Sequence, residues 1–135
     1  MSLKIDKLDH VGIAVKSLDK SIPLFELILG TKCYKIETIA DQDVKTAFLK
    51  LGDIKIELLE SISDNGPIFK HIERNGEGLH HLALKVNSTN ESLLIAKDLG
   101  FRLIDLISRK GAGGLDIGFL NPRSTNNVLI EFCSK

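Results

Sequence analysis

Tryptophan is absent from this 135-residue chain, and aromatic residues make up only 5% of it. A surface that stacks single-stranded bases needs several aromatic side chains, so such a platform is disfavoured. Positive charge is not in excess either, because 18 basic residues balance 18 acidic ones and no long basic run occurs. The composition therefore predicts neither a nucleic-acid partner nor a membrane-surface partner.

Cysteine is scarce as well. Cys33 and Cys133 lack CxxC spacing and are too few for a disulfide framework, which is typical of a reducing cytoplasm. No apolar run reaches transmembrane length, and the N-terminus shows no signal-peptide pattern. We therefore expect a cytoplasmic protein. With 43% hydrophobic residues, the chain suits one globular domain over residues 1–135.

Two halves of the chain repeat the same motifs in the same order. Each half places a His near the start of an apolar run and a Glu inside a β-branched run. The His residues, His10 and His81, are 71 positions apart, and the Glu residues, Glu57 and Glu131, are 74 apart. The motifs are LDHVGIAV and LHHLALKV, IKIELLE and VLIEF, Leu29-Gly30 and Leu99-Gly100, and AFL and GFL. Four matches in one order indicate a duplicated module.

Hydrophobic periodicity predicts the order βαβββ in each half. Module one spans about 4–60, a linker with a short helix spans 61–78, and module two spans about 79–133. Pro23 is expected to start or kink the first helix, which Gly30 ends. The remaining elements are strands at 4–15, 32–39, 44–51, 54–60, 79–86, 101–107, 114–121 and 127–133, and a helix at 89–99.

Strand alternation separates the polar residues from the apolar ones that pack on the helices. His10 shares a face with Gly12 and Ala14, and the same parity selects His81 rather than His80. Glu57 and Glu131 lie opposite their apolar neighbours by the same reasoning. Buried polar groups are costly unless they are paired, and a divalent cation would pair all four. The N/O donor set suits Zn, Co, Ni, Fe or Mn.

Other polar segments carry weaker predictions. Asp41 precedes the third strand and is either a simple turn residue or an additional carboxylate of the site. GAGG, at 111–114, lacks the Lys-Ser/Thr and following helix of a phosphate loop, so it predicts a turn, with close backbone approach to a ligand as the alternative.

At these residues the chain resembles the vicinal oxygen chelate superfamily and, within it, the methylmalonyl-CoA epimerases. The blocks that carry the resemblance are DHVGIAV, IELLE, PIFKHIERNGEGLHHLAL and GAGGLDIGFLNPRSTNNVLIEF. The resemblance implies an α+β fold of two tandem βαβββ modules whose curved sheets form a cup around one divalent metal ion. It implies metal ligands at His10, Glu57, His81 and Glu131, an acyl-CoA substrate and, as is common in the superfamily, a homodimer.

The implied reaction is the R/S interconversion of methylmalonyl-CoA by α-proton abstraction through a metal-stabilised enolate. Glu131 would act as both ligand and base, and Asp41 would act on the opposite face of the substrate. Two positions depart from the family pattern. The usual Glu-Gln-Gly or Glu-His-Gly before the third strand is Asp41-Gln42-Asp43 here, and Asn121 replaces the His of FLHP.

Two other functions fit the same superfamily. Glyoxalase I enzymes perform a similar proton transfer, but they typically carry an Arg four residues after the first ligand His, where this chain has Ala14. Metal-free binding proteins of the antibiotic-resistance type commonly lose the metal ligands, whereas this chain keeps all four. Both alternatives are therefore less favoured than an epimerase.

Overall fold

The computed structural model describes residues 2–135 and divides into two compact units. The N-terminal unit is His10–His80, and the C-terminal unit is His81–Lys135 together with the first residues of the chain up to Asp9. The divisions fall inside two strands rather than in the predicted linker. That the chain forms one domain stays a prediction.

The N-terminal unit holds the first βαβββ module and the linker helix. Its sheet has the strand order β2-β3-β4-β1, in which β1 and β4 are parallel and the other neighbours are antiparallel. A 3-10 turn at Ala40–Gln42 joins β2 to β3. The elements are β1 (Ile5–Ala14), α1 (Leu18–Leu29), β2 (Lys35–Ile39), β3 (Val44–Leu51), β4 (Ile54–Ser61) and α2 (Pro67–Asn75).

Helix α1 begins at Leu18, five residues earlier than the position of Pro23 led us to expect. The Ser17 hydroxyl accepts from the Lys20 N–H, and the Glu60 carboxylate accepts from the Leu18 N–H at 2.6 Å. These two acceptors satisfy N–H groups of the first turn, so the helix forms ahead of the proline. Its apolar face packs on the odd-numbered residues of β1, as predicted, in a cluster that includes Val11, Ile13 and Val15.

The C-terminal unit repeats this plan with the strand order β5-β8-β7-β6. Strands β5 and β8 are parallel, and β7 is antiparallel to both β8 and β6. The elements are β5 (Gly78–Val86), α3 (Thr89–Asp98), β6 (Arg109–Lys110), β7 (Asp116–Phe119) and β8 (Ile130–Ser134). The first three residues of β5 belong to the N-terminal unit.

The strand predicted at 101–107 was wrong. Only one isolated bridge, from Leu103 to Leu120, forms there, and the strand that pairs with β7 lies further on, at Arg109–Lys110. The Asp105 carboxylate accepts the Phe119 N–H at 2.9 Å, and the Ile104 N–H donates to the Phe119 carbonyl. A side chain thus replaces the backbone partner that a regular ladder would require.

The last two strands, β7 and β8, begin later than predicted because the residues just before them have left-handed backbone. Gly113 and Gly114 have φ of 71° and 73°, and Asn126 and Asn127 have φ of 55° and 66°. Such angles end regular pairing. The α+β class and the tandem βαβββ order are nevertheless confirmed. Within residues 2–135, no helix has both the length and the apolar character needed to cross a membrane.

Candidate metal centre

The N-terminal unit buries a His–Glu pair between β1 and β4. Nδ1 of His10 lies 3.3 Å from Oε2 of Glu57, and the two residues are 3% and 2% exposed. Gly12 is the register partner of Glu57 in the parallel β1–β4 pair. Glycine has no side chain, so β1 places no side chain opposite the carboxylate at this register position.

The C-terminal unit contains the same arrangement between β5 and β8. Nε2 of His81 lies 3.5 Å from Oε1 of Glu131, and these residues are 7% and 3% exposed. Ala83, two residues after the histidine, is the register partner of Glu131, as Gly12 is of Glu57. The repeated His and Glu residues of the sequence therefore occupy equivalent register positions in the two units.

Each glutamate also has an aromatic partner, which belongs to the AFL or GFL motif of the repeat. Phe48 is the antiparallel register partner of Glu57, and Phe119 is that of Glu131. The Phe119 ring meets the His81 ring edge-on, with 5.7 Å between centroids. Register across a hairpin is the signal that would have found these residues, since residues directly opposite on antiparallel strands lie side by side.

A cation lies over each of these rings. Nζ of Lys35 is 5.6 Å from the Phe48 centroid, and the Arg109 guanidinium is 5.8 Å from the Phe119 centroid. Each cation also has an acidic neighbour within its unit, Glu37 for the lysine and Asp105 for the arginine. Both units thus carry the same series of His, Glu, Phe and cation.

His80 lies in a different environment from its neighbour His81. Its ring contacts the His71 ring of α2 edge-on, with 4.8 Å between centroids. Burial, with a smaller contribution from nearby His71, lowers the pKa of His80 to about 4. Burial also lowers the pKa of His71, against the opposing effect of a backbone hydrogen bond with Leu79. Both imidazoles are therefore neutral at pH 7.

Asp41 is exposed, in the 3-10 turn that precedes β3. Its neighbour Asp43 has a structural role, because its carboxylate accepts from the Ser63 hydroxyl and its carbonyl accepts the Ile62 N–H at 3.0 Å. Asp43 also has a φ of 53°, a conformation that Asp tolerates better than most residues. Asp41 takes part in neither of these contacts.

The donor atoms of the two pairs are imidazole nitrogens and carboxylate oxygens. Such donors bind borderline divalent cations, and a bound positive charge would offset the cost of burying the two carboxylates. Each pair on its own supplies one nitrogen donor and a carboxylate, which is half of a four-ligand set. The residues present therefore fit a divalent metal ion.

A family model for the glyoxalase/bleomycin resistance protein/dioxygenase superfamily matches residues 9–119. The chain belongs to this superfamily. It is 33% identical over 132 residues to the mitochondrial methylmalonyl-CoA epimerase of Dictyostelium discoideum, covering 97% of this chain and 80% of that protein. It is 40% identical to an uncharacterized protein of Bacillus subtilis (strain 168), over 96% of this chain and 92% of that one.

Solved structures agree with these relatives. A variant of Streptomyces coelicolor methylmalonyl-CoA epimerase, in complex with 2-nitronate-propionyl-CoA, superimposes with a TM-score of 0.92. It is 29% identical to this chain, and the match covers 96% of this chain and 94% of that one. The Dictyostelium relative and the Streptomyces structure are both methylmalonyl-CoA epimerases, a class of isomerase, and the solved structure has the fold that the resemblance implied.

Proposed function

We propose that this protein is a metal-dependent epimerase that interconverts the R and S forms of methylmalonyl-CoA. The observation that carries the proposal is the pair of buried His–Glu contacts, one in each module and in the same strand register. The epimerases among the relatives support the substrate class.

We propose that His10, Glu57, His81 and Glu131 together ligate one divalent ion. Two carboxylates balance the charge of such an ion, and two neutral imidazoles complete four ligands. All four side chains are buried, so an ion among them would be shielded from bulk water. The donor set is compatible with Co, Zn, Ni, Mn or Fe.

A divalent metal bound there would supply Lewis-acid stabilisation of the negative charge that develops as the α-proton leaves. Glu131 is proposed to accept the proton on one face of the substrate, and Asp41 to return one on the other. Phe48 and Phe119 flank the two glutamates and exclude water from them, which strengthens electrostatic interactions at the site. The exposed position of Asp41 gives it access to solvent protons.

Three further expectations stay proposals. We propose that the protein is cytoplasmic, that it forms a homodimer and that residues 1–135 fold as one domain. Sedimentation velocity tests the oligomer, and a single cooperative transition in urea, followed by both fluorescence of Tyr34 and circular dichroism, tests the single domain.

The decisive experiment measures α-proton exchange of methylmalonyl-CoA in deuterated solvent, together with epimerisation, before and after Co²⁺ loading. We expect both rates to follow metal content. Full exchange by chelated protein would refute the metal requirement, and a metal-loaded protein that does not epimerise would refute the function. A parallel assay with methylglyoxal and glutathione is expected to show no turnover, because Ala14 replaces the arginine typical of glyoxalase I.

A further inference from the structure

The turn that carries Asp41 is tied to the segment that follows β4. The Asp43 N–H donates to the Ala40 carbonyl at 3.1 Å, which closes the 3-10 turn. The Asp43 carbonyl accepts the Ile62 N–H at 3.0 Å, and its carboxylate accepts the Ser63 hydroxyl. One residue is therefore bonded both to the turn that holds Asp41 and to the chain beyond β4.

Ser63, the donor to this carboxylate, is itself held in place. Its hydroxyl accepts the Asn65 N–H at 3.2 Å while it donates to Asp43. Its carbonyl accepts the Ser61 hydroxyl at 2.6 Å. A hydroxyl that is bonded as both donor and acceptor has little freedom to rotate, so it presents its proton to one acceptor.

Gly66 lets the Asp43 carboxylate approach because it has no side chain. A Cβ added at Gly66 would overlap Oδ2 of Asp43 and would lie 3.1 Å from its Cβ. Gly66 is also the N-cap residue of α2, and the N-terminus of a helix favours a nearby negative charge. The segment before α2 therefore accommodates a carboxylate from the turn. We call Asp43, Ser63 and Gly66 the Asp43 clamp.

Position 43 has left-handed backbone, with a φ of 53°. Glycine adopts this conformation without steric cost, and glycine is usual at the matching position of the epimerases that the chain resembles. An aspartate there raises the backbone energy unless its side chain makes contacts that offset the cost. The clamp supplies such contacts, so Asp43 gives the turn a side-chain anchor that glycine could not give.

The short acid at position 41 makes the placement of this turn important. Aspartate has one methylene fewer than glutamate, so fewer side-chain torsions can bring its carboxylate to a substrate. A misplacement of about 1 Å can slow an enzymatic reaction on the order of 100-fold. A turn that is held in one place would therefore preserve the activity proposed for Asp41.

We infer that Asp43 is a positioning residue, which fixes the 3-10 turn through the clamp and so places the Asp41 carboxylate. The inference rests on the proposed function for the role of Asp41. The clamp itself can be measured without turnover, because the Ile62 N–H is protected from hydrogen exchange while it donates to the Asp43 carbonyl.

The test compares Ser63→Ala and Asp43→Gly with wild type, by proton NMR of α-proton exchange of each methylmalonyl-CoA enantiomer in D₂O. Alanine removes the donor to Asp43, and glycine keeps the left-handed backbone but removes the carboxylate. We expect each variant to slow exchange of one enantiomer about tenfold with little change in KM, since Asp41 serves one face of the substrate. The Ile62 amide proton should exchange about tenfold faster in both variants.

Three further variants separate positioning from a general loss of structure. Asp41→Asn/Ser63→Ala should be no slower than Asp41→Asn alone, because the clamp acts through Asp41. Asp43→Asn should restore wild-type rates, because its amide oxygen accepts the Ser63 hydroxyl and asparagine tolerates left-handed backbone. Ser21→Ala is the matched control, since it removes a hydroxyl from α1 in the same unit.

The inference is overturned if Ser63→Ala and Asp43→Gly exchange both enantiomers at wild-type rates, or if they slow the two enantiomers equally. Effects of Asp41→Asn and Ser63→Ala that multiply in the double variant would also overturn it. A wild-type protein that neither exchanges nor epimerises the substrate would refute the proposed function and this inference with it. An active wild type with unaffected clamp variants would refute the inference alone.

Discussion

Phe119 lies directly across the β7–β8 pair from Glu131, so a buried aromatic ring flanks a buried carboxylate. Phe48 and Glu57 repeat the relationship on β3 and β4. A ring in this position fills the space that water would otherwise occupy beside the acid. We therefore expect the stability of the protein to depend on this packing.

Phe48→Ala is expected to lower the free energy of unfolding by about 3–5 kcal/mol, because a buried ring is removed and the space refills only in part. Phe48→Leu, which keeps most of the apolar volume, should cost less than half as much. Urea unfolding followed by circular dichroism measures both. Equal losses for the two variants would show that packing around Glu57 does not depend on the size of the ring.

Glu57→Ala and Glu131→Ala are each expected to reduce stoichiometric Co²⁺ uptake and to lower epimerase activity by at least ~100-fold, because alanine removes the oxygen that would bind the ion. Elemental analysis after loading and desalting is the measurement. Glu73→Ala, on an exposed position of α2, is the control. Full metal content in either variant would exclude that glutamate as a ligand.

Asp41→Asn is expected to slow epimerisation by roughly 100-fold, the scale of one general acid–base group. It should leave α-proton exchange of one enantiomer much faster than that of the other, because only one face of the substrate keeps its base. Proton NMR of each enantiomer in D₂O distinguishes the two rates. Asp41→Glu should restore both. Parallel slowing of the two exchange rates would instead assign Asp41 to a positioning or structural role.

Gly118→Ala should destabilise the C-terminal unit by about 1–3 kcal/mol, since an added Cβ would lie 2.7 Å from Cδ1 of Leu93 on α3. Leu93→Ala should also destabilise it by removing a fully buried side chain. The double variant tests whether the two effects share a cause. We expect the double variant to lose less stability than the sum of the two single losses. Strict additivity would rule out the contact between the added Cβ and Leu93 as the cause of the destabilisation.

The protein is expected to lose stability as pH falls below about 6.5, because the unfolded chain then takes up protons that the folded imidazoles of His71 and His80 resist. The pKa of each imidazole is lower in the folded protein than in the unfolded chain. The loss of stability therefore begins as the pH falls through the unfolded pKa, continues until the pH has fallen through the folded pKa, and then levels off. His71→Gln should reduce the slope of unfolding free energy against pH in this window. An unchanged slope would show that His71 is as easily protonated in the folded state as in the unfolded one.

Strand alternation was sufficient to place His10 and Glu57 each on the face of its strand opposite its apolar neighbours, because side chains on a strand have only two faces to occupy. The same rule separated His81 from His80, which instead contacts His71. Short-range signals also located both module helices, since Ser17 and Ser88 cap α1 and α3. Features that depend on local chemistry within about ten residues were therefore predictable from the sequence.

Features that depend on side-chain contacts between residues far apart in the chain were not predictable from the sequence. The expected strand at 101–107 failed because the Asp105 carboxylate accepts the Phe119 N–H, a contact that no periodicity encodes. The same limit hid the aromatic partners of the glutamates, which depend on register across two hairpins.

The brevity and charge of the outer strands bear on how the protein behaves at high concentration. Strand β6, the outer strand of the C-terminal unit, is only two residues long, Arg109 and Lys110. Strand β2, the outer strand of the N-terminal unit, carries Lys35 and Glu37. Short, charged outer strands are poor templates for the open backbone of a neighbouring chain. We expect the folded protein to resist amyloid-like assembly, and replacement of Arg109 and Lys110 by valine to remove that protection.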